Sequence, residues 1–338
     1  MIILISICLG LFSGAQPVQA ATKTNPQQVA QALKAKHFTG TVLIIRHGKT
    51  ILRRSYGYAN FAHLQRNTPA TVYQLASVQK VLTAVLLMQL VQANKVQLNE
   101  PLSHYYPQIA HSKQITLRQM LDMNSGLYST TDPQKMLSDR QIVDFAAKHV
   151  KVGQIGAHNY EPVNYTLLTG IIERLTQQSY HQLVQQKILQ PLKLRHTGFM
   201  LDDFTQEKHQ SVAYKDVSEL LPYLVRQRES PVALRRKLGT GNMYSTVDDL
   251  FQLEQAIQQS RLLKPATTAA LFNATDGSYR GGLYNYRHFV SSHGVESGYE
   301  SGLALSRDGK SGVILLSNRH TTLSLSKQAR KLYRQLNL

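Results

Sequence analysis

Along this chain the spacing of apolar positions changes several times, and each change marks an element. Residues from Asn25 to Lys36 carry a helical period, with Pro26 suited to the first turn. The stretch TGTVLIIRHGKTILRRSYGYAN, from Thr39 to Asn60, reads as two strands around a turn at His47-Gly48-Lys49. From Tyr73 to Leu90 the pattern is different: after Lys80 only Thr83 and Gln89 interrupt the aliphatics, so the helix should be buried on nearly all sides. Asn164 to Thr176 predicts a second strongly apolar helix, and GLALSRDGKSGVILLSN predicts a hairpin with Asp308-Gly309 at its turn. At the C-terminus Lys327, Arg330, Lys331 and Arg334 form one basic face of a helix, opposite Leu325, Ala329, Leu332 and Leu336. A helix at each end, hairpins beside both and a helical middle predict an α+β domain with a mainly helical insertion over about residues 90–240. No internal repeat or low-complexity linker interrupts it.

The first twenty residues stand apart. An apolar run from Ile2 to Phe12 leads into small and polar residues, and Val18-Gln19-Ala20 resembles a small-x-small cleavage site. Residues 1–20 are therefore expected to be a secretory signal, with an uncleaved membrane anchor as the alternative, and 21–338 a single domain. No Lys or Arg precedes the run, which departs from the usual signal pattern. The single cysteine, Cys8, lies inside this segment with a poor lipid-attachment context, which excludes a disulfide-stapled module and a thiol nucleophile in the mature protein.

With 38 Lys and Arg against 20 Asp and Glu, the 338-residue chain has a formal charge of +18. That balance calls for an anionic partner. The basic residues are spread along the chain with no nucleic-acid motif, so an acidic polymer outside the membrane fits better than nucleic acid. Thirteen histidines show no His-Glu-x-x-His or Cys/His spacing, so no metal is expected, and no glycine-rich phosphate loop suggests a cofactor.

The chemistry is expected at Ser77 and Lys80. A serine at a helix start faces unpaired N–H groups, and a lysine one turn on, against an apolar wall, loses hydration and basicity. Such a pair is a nucleophile with its own base. Ser-x-x-Lys recurs at Ser324 to Lys327, but that lysine belongs to the basic, solvated face of the last helix. No Gly-x-Ser-x-Gly elbow surrounds any serine, which argues against a lipase-like esterase.

The surroundings of Ser77 resemble the class C β-lactamases and the penicillin-binding, DD-peptidase-like serine hydrolases. The segment from Val72 to Pro107 is similar to their nucleophile region, and TLRQMLDMNSGL (Thr116 to Leu127) to a later landmark. NYEPVNYTLLTGIIERLT resembles their Tyr-x-Asn region, and LQPLKLRHTGF, GTGNMYSTVDDL and SSHGVESGYESGLALS follow in the same order. The resemblance covers most of the chain after residue 40. It implies an antiparallel sheet flanked by the terminal helices, a helical subdomain, and an active site between them.

It also implies roles: Ser77 as acyl-accepting nucleophile, Lys80 as its base, Tyr160 as a proton-sharing partner, and Asn124 beside the substrate. Where the family has asparagine two residues after the tyrosine, this chain has Pro162, and Asn164 does not match the position. That departure weakens a peptide or β-lactam reading more than simple acyl transfer. The third motif has two alignments, starting at Ser292 or at His293. Either way Gly294 and a backbone N–H at Val295 or Glu296 would line the pocket, forming an oxyanion hole with the Ser77 N–H, and His293 is a candidate substrate contact. His158 and His196 are assigned to structure, Gly126, Gly239, Gly241 and Gly298 to turns, and Ser245 or Thr246 with Asp248 or Asp249 to a capping box.

The implied function is an exported serine acyl hydrolase or transferase acting on D-alanyl groups of cell-wall material. The favoured forms are a D-alanyl esterase on teichoic acid or a DD-carboxypeptidase on stem peptides. A β-lactamase, and an inactive wall-polymer or penicillin-binding protein, are the alternatives.

Overall fold

The computed structural model describes residues 25–217 and 221–338; the expected signal and Cys8 lie outside them. The first helix, α1 (Pro26–Ala35), opens on a capping box. Asn25 Oδ1 accepts from the Gln28 N–H at 2.8 Å, and Gln28 Oε1 accepts from the Asn25 N–H at 3.0 Å. Strands β1 (Gly40–Arg46) and β2 (Lys49–Tyr56) follow as the expected hairpin, with His47 and Gly48 both at positive φ, as a two-residue turn of matching twist requires.

The helix α2 (Lys80–Gln92) is buried at every position from Lys80 to Met88. It lies between the sheet and a helical layer that includes α3 (Asp139–His149) and α4 (Val163–Thr176). Each fully buried leucine or valine there contributes roughly 1.5–3 kcal/mol over exposure. Beyond Gln92 the chain does not return to the main sheet until Asp276. The excursion carries α5 (Val247–Gln258) and short two- and three-stranded sheets as well as helices, so it is less purely helical than the periodicity predicts.

The chain then lays down β3 (Asp276–Arg280), β4 (Leu283–Tyr286), β5 (Phe289–Glu296), β6 (Tyr299–Ser306) and β7 (Gly312–Ser317). With the first hairpin these form an antiparallel seven-stranded sheet in the order β3-β4-β5-β6-β7-β1-β2. The expected hairpin is β6–β7, and its loop is held by Asp308 Oδ1, which accepts from Ser306 Oγ at 2.6 Å and from the Lys310 N–H at 2.9 Å. The register Thr41↔Leu316 ties the two ends of the chain together in the sheet centre.

Both faces of the sheet are covered, which is why β1 and β7 are apolar runs without alternation. Leu43, Ile45, Leu303, Leu305, Ile314 and Leu316 meet α2 and the helical layer. Val42, Ile44, Val313 and Leu315 meet α1 and the last helix, α6 (Leu325–Gln335). The second Ser-x-x-Lys copy is the start of α6, where Ser324 Oγ accepts from the Lys327 N–H and caps the helix. The fold is thus α+β, an antiparallel sheet between the terminal helices and a larger layer built mainly of helices.

Candidate active site

The site is built where β5 outruns its neighbour. Strand β4 pairs with β5 only at Val290 and Ser291, so from Ser292 onward the outer edge of β5 has no strand partner among the described residues. The turn Ala76–Gln79, which leads into α2, fills that gap. A Cβ on Gly294 would fall 2.2 Å from the Leu75 carbonyl oxygen and 2.8 Å from the Ser77 nitrogen. Only glycine lets the strand backbone approach that closely, which favours the alignment of the third motif that begins at Ser292.

Immediately before Ser77, Ala76 adopts φ +49°, a left-handed conformation that costs a non-glycine residue about 1–2 kcal/mol. The turn is pinned from the other side. The Leu75 N–H donates to the Met243 carbonyl at 2.8 Å, Gln79 Nε2 donates to Asn242 Oδ1 at 3.0 Å, and the Asn242 N–H donates to Gln79 Oε1 at 2.6 Å. Gly126, Gly239 and Gly298 do occupy positive φ, whereas Gly241 does not and instead lies against the Ala76 backbone.

Ser77 is partly exposed while Lys80, one turn on, is 1% exposed. Lys80 Nζ donates to Ser77 Oγ and to the Thr240 carbonyl oxygen, both at 2.9 Å. Burial lowers its pKa to about 7, with Glu296 pulling upward and Lys237 pushing further down. The Tyr160 ring sits with its centroid 5.2 Å from Lys80 Nζ and packs edge-on against Tyr279 at 5.3 Å. Burial raises the Tyr160 hydroxyl to about 12, and the Ser77 hydroxyl offsets part of that rise. Tyr160 is therefore a protonated donor at neutral pH, and the readily titrated group is Lys80.

The remaining expected residues divide. His293 pairs with Gly302, whose Cβ position meets the Leu325 backbone, so His293 projects toward α6 and away from the Ser77 turn. Its ring stacks on Tyr284 at 5.8 Å and its buried Nδ1 has no hydrogen-bond partner. Burial, Arg330 and Lys80 depress its pKa. Ser292 is buried in the sheet, and Val295 is 44% exposed at the strand end. The half-buried Asn124 donates its N–H to the Gln119 carbonyl and accepts from the Gly156 N–H. Of the expected residues Ser77, Lys80 and Glu296 line the cavity over Ser77, whereas Tyr160, Asn124, Ser292, His293, Gly294 and Val295 do not. Asn164 is fully buried, its Oδ1 accepting from Ser125 Oγ at 2.6 Å and its Nδ2 donating to the Glu161 carbonyl at 3.0 Å, so it does not stand in for the residue replaced by Pro162.

The remaining sequence assignments are structural. His158 packs against the Tyr279 ring, and the His196 N–H donates to Asp249 Oδ2 at 2.8 Å. Thr246 caps α5 through the Asp249 N–H, while Asp248 pairs with Arg53 at 2.9 Å.

A cavity of about 300 Å³ opens over Ser77 and Lys80. Its walls bring in charges that sequence reasoning passed over: Asp132, Glu161, Arg236, Lys237 and Glu296. Lys237 contacts Glu296 at 2.8 Å and also pairs with Glu229, which accepts from Gln74 Nε2 at 2.8 Å. Arg236 pairs with Asp132 at 2.8 Å. Glu161 and Glu296 lie inside the quoted motifs and Asp132, Arg236 and Lys237 within a few residues of one, but nothing in the motifs marks their charges as facing the cleft. Among the described residues no three His, Cys, Asp or Glu side chains converge as metal ligands, and no helix is long and apolar enough to cross a membrane.

The Beta-lactamase family profile matches residues 26–338. The putative penicillin-binding protein PbpX of Bacillus subtilis (strain 168) is 28% identical over 323 residues, 94% of this chain and 80% of that protein. The teichoic acid D-alanine hydrolase of Staphylococcus aureus is 33% identical over 252 residues, 73% of this chain and 61% of its own length. The crystal structure of FmtA from Staphylococcus aureus superposes with a TM-score of 0.80 at 29% identity, covering 92% of this chain and 88% of that one. The D-amino acid amidase of Ochrobactrum anthropi SV3 shares the fold at 20% identity, with a TM-score of 0.76 over 92% of this chain and 96% of that one.

Proposed function

This chain belongs to the beta-lactamase family, and from that premise we propose that it is a serine acyl hydrolase that removes D-alanyl groups from an anionic cell-wall polymer. The observation that carries the reading is the hydrogen bond from a fully buried Lys80 to Ser77 Oγ at the floor of an open cavity. With a pKa of about 7, Lys80 is substantially neutral at physiological pH and can take the serine proton.

Ser77 Oγ attacks the acyl carbonyl carbon as its proton passes to Lys80, giving a tetrahedral oxyanion. The backbone N–H of Ser77 and an N–H of β5 just beyond Gly294 are the donors for that charge. Collapse breaks the bond to the leaving alkoxide, which takes the proton held on Lys80, either directly or through Tyr160, whose O–H donates to the alkoxide while Lys80 reprotonates the phenol oxygen. Both routes return Lys80 to its neutral form. Water then attacks the acyl-enzyme with Lys80 again as base, releasing the carboxylic acid and Ser77. Tyr160 acts as an O–H donor in this scheme, as a hydroxyl held near 12 requires.

Three features favour an ester over a peptide or a β-lactam. Pro162 offers no side-chain hydrogen bond to a substrate amide, Asn164 is committed to Ser125, and the +18 charge attracts a polyanion. The Staphylococcus aureus relative's name, a teichoic acid D-alanine hydrolase, points the same way. The proposed place of action is the cell-wall side of the membrane.

The test is release of free D-alanine from D-alanylated teichoic acid, run with parent and Ser77→Ala protein, alongside intact-protein mass spectrometry with a fluorescent penicillin. The reading expects release that falls at least about 1,000-fold in Ser77→Ala. Ser77-dependent nitrocefin turnover without D-alanine release would move the protein to the β-lactamases.

A further inference from the structure

Three carboxylates line the cavity over Ser77, and two of them are already neutralised: Asp132 by Arg236 at 2.8 Å and Glu296 by Lys237 at 2.8 Å. Glu161 is different. It is half-buried, lines the same cavity as Ser77 and has no cationic partner among the described residues. Its backbone is fixed, the carbonyl accepting from the Asn164 N–H at 3.2 Å and from Asn164 Nδ2 at 3.0 Å, between Tyr160 and the cap of α4. Burial holds its carboxyl above the ordinary range, offset in part by the Ser129 N–H.

Resting on the acyl-hydrolase reading above, we infer that Glu161 is the subsite for the α-ammonium of the acyl group, so that the site takes aminoacyl esters with a free amine and rejects N-acylated ones. An acyl group presented to Ser77 carries its α-nitrogen one carbon from the attacked carbonyl, inside the cavity. If that nitrogen is an ammonium, it and a partly desolvated carboxylate compensate each other's lost hydration. If it is an amide, as within a peptide, Glu161 stays uncompensated and Pro162 supplies nothing to hold the amide. Lys237 and Arg236 cannot serve as repellents of the amine, because each is paired with its own carboxylate. The polyanion is then recognised outside the cleft by the basic surface, and the aminoacyl cation inside it by Glu161.

The experiment uses Ser77→Ala protein, which cannot turn ligand over, titrated just below neutral pH with D-alanine methyl ester and with N-acetyl-D-alanine methyl ester. The free-amine ester is expected to bind at least about 10-fold more tightly. Adding Glu161→Gln should weaken the free-amine ester by about 10- to 100-fold and leave the acetylated one within about 2-fold. Equal or undetectable binding of the two esters, or no response to Glu161→Gln, overturns the inference. Cleavage of the same esters by the Ser77 protein is followed in parallel. Ser77-dependent cleavage without preference sinks the Glu161 subsite alone, and amine-dependent binding without any cleavage sinks the hydrolase reading alone.

Discussion

In the proposed hydrolase, Lys80 is the group expected to set the pH behaviour of the site. Its folded pKa of about 7 lies well below the ordinary 10.5, chiefly through burial. Acylation of Ser77 is therefore expected to rise through an inflection near pH 7 as Lys80 loses its proton. Glu296 raises that pKa, so Glu296→Gln should move the inflection to lower pH, and stopped-flow acylation profiles of the two proteins decide it. The same burial carries a stability signature. The unfolded lysine stays protonated up to about 10.5, so the folded state gains stability as pH rises from about 7 toward that value. Glu254 behaves oppositely: fully buried, with both carboxylate oxygens unpartnered, it is pushed up to about 8. Its contribution is intact below about 4.5 and is lost as pH rises through 8, roughly 3 kcal/mol of it by neutrality. Glu254→Gln is expected to raise the melting temperature at pH 8 and to change it little near pH 4.5, as calorimetry at the two values would show. Ser77 and Lys80 were legible in the sequence because a lysine opening an unbroken apolar helix must lose its water. The charges of Glu161, Lys237 and Glu296 were not, because a charged side chain in a loop or at a strand end looks the same whether it faces solvent or a cleft. His293 carried a motif-based expectation, and strand alternation turns it toward α6.

At the level of elements, the readable ones were those with a strong period or a strong turn: α1, the β1–β2 hairpin, α2, α4, the β6–β7 hairpin and α6. Strands β3 and β4 escaped, since DGSYR and LYNY have few aliphatics and a Gly-Gly turn between them. The pairing of β1 with β7 was also invisible, because no local signal reports a contact between chain ends. What makes the elements into a site is close backbone approach. Gly294→Ala would press a methyl into Leu75 and the Ser77 nitrogen and push β5 off the nucleophile turn. Acylation is expected to fall by about 100-fold or more, since small displacements of reacting groups have that effect. Gly48→Ala is the contrasting control: unlike Gly294 it sits at positive φ, but its Cβ would meet nothing within 4 Å. It should cost about 1 kcal/mol of stability and leave acylation unchanged, so measuring both variants separates backbone strain from loss of the site.

Over the whole molecule, charge and chemistry occupy different places. The α6 helix packs on the sheet face opposite α2, and its Lys327, Lys331 and Arg334 are exposed there, away from the Ser77 turn. Inside the cavity the basic residues Lys237 and Arg236 are matched by carboxylates. A polyanion should therefore be gathered by the outer surface and not by the cleft. Attraction of that kind acts on encounter and is screened over about 8–10 Å at ordinary salt. The value of kcat/KM on teichoic acid is thus expected to drop at least about 10-fold between low salt and about 0.5 M, while that on a small D-alanyl ester changes little. Replacing Lys327, Lys331 and Arg334 together by glutamate should reproduce the loss on polymer at low salt and spare the small ester. If salt or the triple variant lowered both substrates equally, the surface charge would be acting on the site itself, and the division between outer capture and inner chemistry would be wrong. If neither substrate responded, the excess charge would serve some purpose other than holding the polymer.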